Sequence, residues 1–373
     1  MAKTTNTINT KRMIDNFINY VKIDSESYNE LNICNHLYIQ LTTLGFEVIK
    51  TNVNNDFGSN GYNLIAKFAG DPTKKPIFMS AHVDTVAPGN GVKPVIEEDV
   101  IKSDGTTILG ADNKGGVAII VEVMQALKES GQNARPIDAV FTLCEEEALL
   151  GANVVDTNLF AAREGIVLDS GGPVGGIVTK APGHQLHNIV IHGKPAHSGA
   201  APQEGISAIQ IAARAINSLK LGKIDDETTA SVGTIHGGTA MNVIPAQVTL
   251  VSEARSLNAK KMQAQTDKMK QAFEEAAAHY GGTVDFSVKT SYPAVDVPKD
   301  APIITALEAS FLSMGIQPYF KVAGGGSDNN VFFGKGLQTV DLSIAYEDIH
   351  TLEERICISD MEKLAQVIYQ MCL

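Results

Sequence analysis

A chain of 373 residues with 44% apolar content is longer than one core usually grows, so two domains are expected. A net charge of −12, from 30 basic and 42 acidic residues, and the lack of a Lys/Arg-rich stripe exclude a nucleic-acid surface that displaces counterions. The longest apolar stretch, residues 117–127, is broken by Glu122 and too short to span a bilayer. Residues 1–15 are polar with no apolar h-region, and Cys34, Cys144, Cys357 and Cys372 form no Cys-x-x-Cys pair, so a soluble cytoplasmic protein with reduced thiols is expected.

Met13, Phe17 and Tyr20/Val21 have helical spacing, as do Leu31, Leu37, Leu41 and Leu44, with Gly45 as a stop. Strand-like runs follow at residues 46–49, 63–68 and from Ile77, and a helix is predicted over about 116–128. Residues 139–143 and 165–168 are short continuous apolar runs, suited to strands covered on both faces. Strands alternating with helices point to a mixed or parallel sheet flanked by helices, an α/β class.

From about Pro182 the pattern changes. Residues 185–192 read as a strand, and 204–219 as a helix with Ile206, Ile209, Ala213 and Ile216 on one face. Strands at 231–235 and 248–251, a helix at 260–280 and a strand at 283–288 complete a β-α-β-β-α-β order, the ferredoxin-like unit. The expected organisation is a catalytic domain of residues 1–181 and 292–373, interrupted by an inserted ferredoxin-like domain of residues 182–291. The return carries a helix after Asp300, the glycine run Gly324 to Gly326, and strands leading to His350.

The run from Ile77 stops at His82 and Asp84, which in an extended chain project from one face. Other apolar runs end before Asp112, before Glu145 and Glu146, before Asp169 and before His350. Carboxylates and imidazoles gathered at strand ends are what a hydrolytic metal site requires. Gly324-Gly-Gly-Ser-Asp328, with Gly325 at its centre, is flexible backbone able to approach a substrate closely. No phosphate-cradling pattern precedes Lys114. His184, His187 and His192 fall on one predicted strand and read as structural. His197 lies in the turn Pro195-Ala-His-Ser-Gly199, where packing gives no reason for an imidazole.

Five segments together resemble the di-zinc exopeptidase and amidohydrolase family that includes peptidase T, glutamate carboxypeptidase and acetylornithine deacetylase. They are Ser80-Ala-His-Val-Asp-Thr85, Gly110-Ala-Asp-Asn-Lys-Gly-Gly116, Cys144-Glu-Glu146, Val167-Leu-Asp169 and Ile349-His-Thr351. Cys-Glu-Glu followed by Leu149-Leu-Gly-Ala152, and Gly193-Lys-Pro-Ala-His-Ser-Gly199, resemble the peptidase T-like branch most. One departure is Glu147-Ala148 where the family has Val-Gly; the register of the three glutamates then rests on the Leu-Leu-Gly-Ala that follows.

The resemblance implies a zinc-exopeptidase-like catalytic domain in which His82 and Asp169 hold one zinc ion and Glu146 and His350 another, with Asp112 bridging. Manganese or cobalt are alternatives. It implies Glu145 as general base, Asp84 as the carboxylate orienting His82, and His197 as an oxyanion donor from a partner subunit of a homodimer built through the inserted lid or dimerisation domain. Asn242 and Arg255 match positions that bind the substrate's carboxylate or backbone. The expected activity is hydrolysis of short peptides, as an aminotripeptidase-like metallopeptidase. The alternative is a carboxypeptidase or N-acyl-amino-acid deacylase; the complete ligand set argues against a non-catalytic scaffold.

Overall fold

The computed structural model describes residues 8–373; the first seven of the polar opening stretch lie outside the described residues. The chain divides into two compact units. One comprises the chain up to Thr179 with Val297–Ala323 and Ser327–Leu373; the other comprises Lys180–Asp296 with Gly324–Gly326.

The first unit is built on a mixed sheet. Its strands run in the order Glu47–Thr51, Asn63–Phe68, Ile137–Thr142, Ile77–His82, Glu164–Ser170, Gln338–Ser343 and Gly176–Ala181. The strand Ile77–His82 pairs in parallel with both of its neighbours, and Gln338–Ser343 runs parallel to Glu164–Ser170. The flanking strands are antiparallel. Ile77–His82 and Ile137–Thr142 are buried at every position, as the continuous apolar runs lead one to expect of strands covered on both faces. The helix Ala111–Ser130 packs on the central strand and between the helices Thr10–Val21 and Ile358–Cys372.

That helix starts five residues before the predicted Gly116, and Asp112 and Asn113 keep non-helical dihedrals within it. Glu122, the acid in the apolar run, is fully buried and accepts from Arg12 at 2.7 and 2.9 Å and from the Asn9 N–H at 2.7 Å. It is a partner of the first helix rather than a defect in the apolar pattern.

The second unit is an antiparallel sheet ordered Gly222–Lys223, Thr228–Gly237, Gln247–Ser256, Gly183–His192, Thr283–Tyr292, with helices Ala208–Ser218 and Ala259–Tyr280. Its main elements follow the expected β-α-β-β-α-β order. One expectation holds only in part: the shorter helix buries Ala208, Ile211, Ala212 and Ala215, with Ile216 and the preceding Ile206 packed at the edge of that core, while Ile209 and Ala213 face solvent. Three alanines and Ile211 on the buried face let the helix sit close to Ile189, Leu250 and Phe273. Among the described residues no helix is long and apolar enough to cross a membrane.

Candidate metal centre

Parallel strands end at a common rim, and the rim here is acidic. His82 closes its strand in register with Thr142, the last residue of the next, so the segment carrying Glu145 and Glu146 departs beside it. Asp169 lies near the end of Glu164–Ser170 on the other side, and the chain beyond Gln338–Ser343 leads to His350. Ligand sites of α/β sheets form outside such strand ends.

His82 Nε2 lies 3.0 Å from Asp112 Oδ1 and 3.4 Å from Asp169 Oδ1. His350 Nε2 lies 2.9 Å from Glu146 Oε1 and 3.4 Å from Asp112 Oδ2. Asp112 therefore turns one oxygen toward each imidazole. The ligating atoms of His82, Asp112 and Asp169 fall within 4.8 Å of one another, as do those of Asp112, Glu146 and His350, and of His82, Glu145 and Glu146. The five expected ligands and Glu145 are thus brought together. Of the three consecutive glutamates, Glu145 is buried among these groups, whereas Glu147 is exposed and accepts from the Tyr28 hydroxyl at 3.3 Å.

A second layer of buried carboxylates grips the backbone that carries the first. Asp84 accepts from the N–H groups of Glu145 at 2.9 Å and Glu146 at 3.2 Å, and from the Ser27 hydroxyl at 2.8 Å. This modifies the role expected for it. The Nδ1 of His82 is closer to the Asp84 carbonyl oxygen, at 3.0 Å, than to its carboxylate, at 3.3 Å. Glu30 accepts from the N–H and thiol of Cys144, at 3.1 and 2.9 Å. Cys144 has a φ of 48°, a left-handed conformation that costs a non-glycine residue about 1–2 kcal/mol and that those bonds help to offset. Asp341 accepts from the Asp169 N–H at 2.8 Å.

None of Glu30, Asp341 and Glu354 was singled out from the sequence. For Asp341 a signal existed, because an acid inside the apolar run Thr339-Val-Asp-Leu-Ser343 must find a partner. Glu30 and Glu354 lie in polar stretches with no local signature.

The charges are unbalanced. Asp84, Asp112, Glu145, Glu146 and Asp169 gather around the two imidazoles of His82 and His350. Burial pushes the Glu145 carboxyl well above its usual range, and the charge of Asp169 pushes it further. Burial likewise lifts Asp169, with Asp112 adding to it. Asp112 is buried too, but hydrogen bonds from His350 and His82 outweigh burial and keep it ionised. The same contacts, to Asp112 and then Glu146, raise His350 to about 10. Imidazole nitrogen and carboxylate oxygen, three donors to a group, form a donor set that fits zinc, manganese or cobalt with room left for water.

The remaining candidates belong to the second unit. His197 is exposed, and its Nδ1 accepts from the N–H groups of Gly199 at 3.2 Å and Ala200 at 3.1 Å. Two donors on Nδ1 leave the ring proton on Nε2. Asn242 and Gly325 are exposed or open. Arg255 is engaged, with Nη2 at 3.0 Å from Glu253 and Nη1 at 3.3 Å from the Tyr292 hydroxyl. His184 pairs with Glu253, His192 with Asp285, and His187 lies between the hydroxyls of Ser252 and Thr266, all structural contacts.

Residues 181–281 match the peptidase dimerisation domain of the M20 peptidases, and residues 63–168 match peptidase family M28. The crystal structure of aminopeptidase PepT from Bacillus cereus is similar to this chain at 40% identity and a TM-score of 0.90, covering 98% of each chain. The chain belongs to the peptidase T-like branch of the M20 metallopeptidases. Among other members of that family, a tripeptidase structure from Staphylococcus aureus is similar at 35% identity and a TM-score of 0.92, over 98% of each chain. Peptidase T of Vibrio cholerae is 27% identical over 97% of each. Within the family the fold is the expected catalytic sheet with an added α+β unit, and the paired donor groups provide for two metal ions.

Proposed function

We propose that this metallopeptidase is an aminotripeptidase-like exopeptidase that releases the N-terminal residue of short peptides with the help of two zinc ions. The observation that carries the reading is the orientation of Asp112, one oxygen toward His82 and the other toward His350. His82 and Asp169 would hold one ion, His350 and Glu146 the other, and Asp112 both. Divalent ions bound by these residues would supply Lewis acidity to the scissile carbonyl and to a water nucleophile. Glu145, buried and with its proton affinity raised, accepts a proton from the attacking water and returns it to the leaving amine. Asp84 keeps both partners aligned, through its carbonyl on the His82 ring and its carboxylate on the Glu145 N–H.

His197 is assigned as the oxyanion donor. Its Nε2 carries the proton and is not used by its own turn, as a donor acting in a partner subunit's site would need. The match to a dimerisation domain supports a homodimer formed through the second unit. Arg255 is assigned to the substrate's carboxylate, which would compete with Glu253 for a planar two-pronged donor, and Asn242 and Gly325 to the substrate's backbone.

A panel of tripeptides, dipeptides, N-acetylated tripeptides and N-acetyl amino acids tests the reading. Free-amino tripeptides should be cleaved fastest, activity should vanish on chelation, and zinc should restore it. Cleavage confined to N-acetyl amino acids, or turnover that survives chelation, contradicts it.

A further inference from the structure

We infer that Glu354 is a positioning residue for the metal centre, fixing the backbone from which Asp112 reaches both donor groups. The inference rests on the reading of Asp112 as the shared ligand. Glu354 is 1% exposed. One carboxylate oxygen accepts from the N–H groups of Leu109 and Gly110, both at 2.8 Å, and the other accepts from the N–H of Asp112 at 2.9 Å. Three N–H groups within a four-residue span thus converge on one carboxylate, all at ordinary length.

The segment needs an external acceptor. Gly110 has a left-handed φ of 77°, and Asp112 and Asn113 depart from helical dihedrals. The N–H groups at 109, 110 and 112 come at or before the start of the helical ladder, so no carbonyl of that helix can take them. A buried N–H without an acceptor is costly. Only a carboxylate meets all three, because an amide in its place would turn an N–H donor toward one of them.

The position of Glu354 in the chain adds a second function to the brace. It lies four residues after His350, and its own N–H donates to the Thr351 carbonyl at 3.3 Å. One carboxylate therefore ties the segment presenting the shared ligand to the turn presenting a ligand of one group. A displacement of either is passed to the other, and the separation of Asp112 from His350 is set by the brace.

Metal titration of the full-length parent, Glu354→Gln and Glu354→Asp tests this, with cobalt absorption and zinc competition as readouts, alongside metal-free melting. The substitution Glu354→Gln should weaken metal binding by ~10–100-fold, the range for partners that orient ligands. Glu354→Asp, an anion one methylene short, should fall between Glu354→Gln and the parent. Both should still fold without metal, melting a few °C below the metal-free parent, as the loss of a buried acceptor requires. Metal affinity unchanged within about twofold in Glu354→Gln, a shift well below the expected ~10–100-fold, overturns the inference. So does loss of the metal-free fold in both variants, since Glu354 would then be holding the chain and not aiming Asp112. A parent that binds no divalent ion refutes the metal-centre reading itself, whereas a parent that binds while Glu354→Gln is unaffected refutes only the role of Glu354.

Discussion

Burial separates three chemically identical neighbours. Glu145 points into the acidic rim, Glu146 reaches His350, and Glu147 faces water beside Tyr28. The N–H groups of Glu145 and Glu146 are both held by Asp84, which fixes the register. Glu145→Gln should retain its metal and lose ~10²–10⁴-fold in kcat, the usual contribution of a general base. Glu147→Gln should turn over near the parental rate. Equal losses in the two variants, measured by steady-state kinetics beside metal analysis, would mean that the register is not what directs catalysis.

The candidate ligands were legible because they stand at or after the ends of apolar runs and inside five short segments that resemble a known family, signals that depend only on neighbours in sequence. Glu354 was not, because the N–H groups it accepts from lie 242 or more residues away; nor was Glu30, which also accepts from Tyr28 and Ser59 but whose bond to Cys144 spans 114 residues. Arg255 is a different case, because its partner is local. Its motif suggests a carboxylate anchor, while the acid two positions earlier, Glu253, already occupies its guanidinium.

Among the elements, the strand Gly183–His192 of the second unit carries a buried histidine whose neutrality stabilises the fold. Burial pushes His187 down to about 4, and the nearby His184 adds to the effect. With an ordinary value of 6.5 in the unfolded chain, the unfolded state takes up a proton that the folded state refuses as pH falls between those values. The stabilisation is complete above the unfolded value and is lost progressively as pH drops toward the folded one. Denaturant midpoints recorded from about pH 7.5 to about pH 4 should fall more steeply for the parent than for His187→Gln. Parallel profiles would show that His187 is not the group responsible.

Element order in this unit was readable from alternation and helix spacing, but the buried face of Ala208–Ser218 was not. The expected stripe of Ile206, Ile209, Ala213 and Ile216 is turned so that Ala208, Ile211, Ala212 and Ala215 are buried, Ile206 and Ile216 lie at the edge and Ile209 faces solvent. Burial along a helix is decided by what it packs against, and no local pattern records that.

For the whole molecule, the two units are assigned different tasks, metal chemistry to one and subunit pairing with an oxyanion donor to the other. If His197 serves the partner's site, His197→Ala alone should lose ~10²–10³-fold in kcat. Mixing it with the inactive Glu145→Gln protein under subunit exchange should restore activity, because each mixed dimer then holds one site with both groups intact. No recovery from exchanged dimers, or a monomer at all concentrations in sedimentation, would remove the trans role of His197.

The most direct measurement counts zinc ions per chain in the parent, Asp169→Ala and Asp112→Ala after loading and exhaustive buffer exchange. Two donor groups that share one carboxylate predict two ions in the parent, a defect confined to one ion when Asp169 is removed, and weakening of both when Asp112 is removed. A parent that holds no ion, or an Asp112→Ala protein that keeps two at parental affinity, would contradict the shared centre.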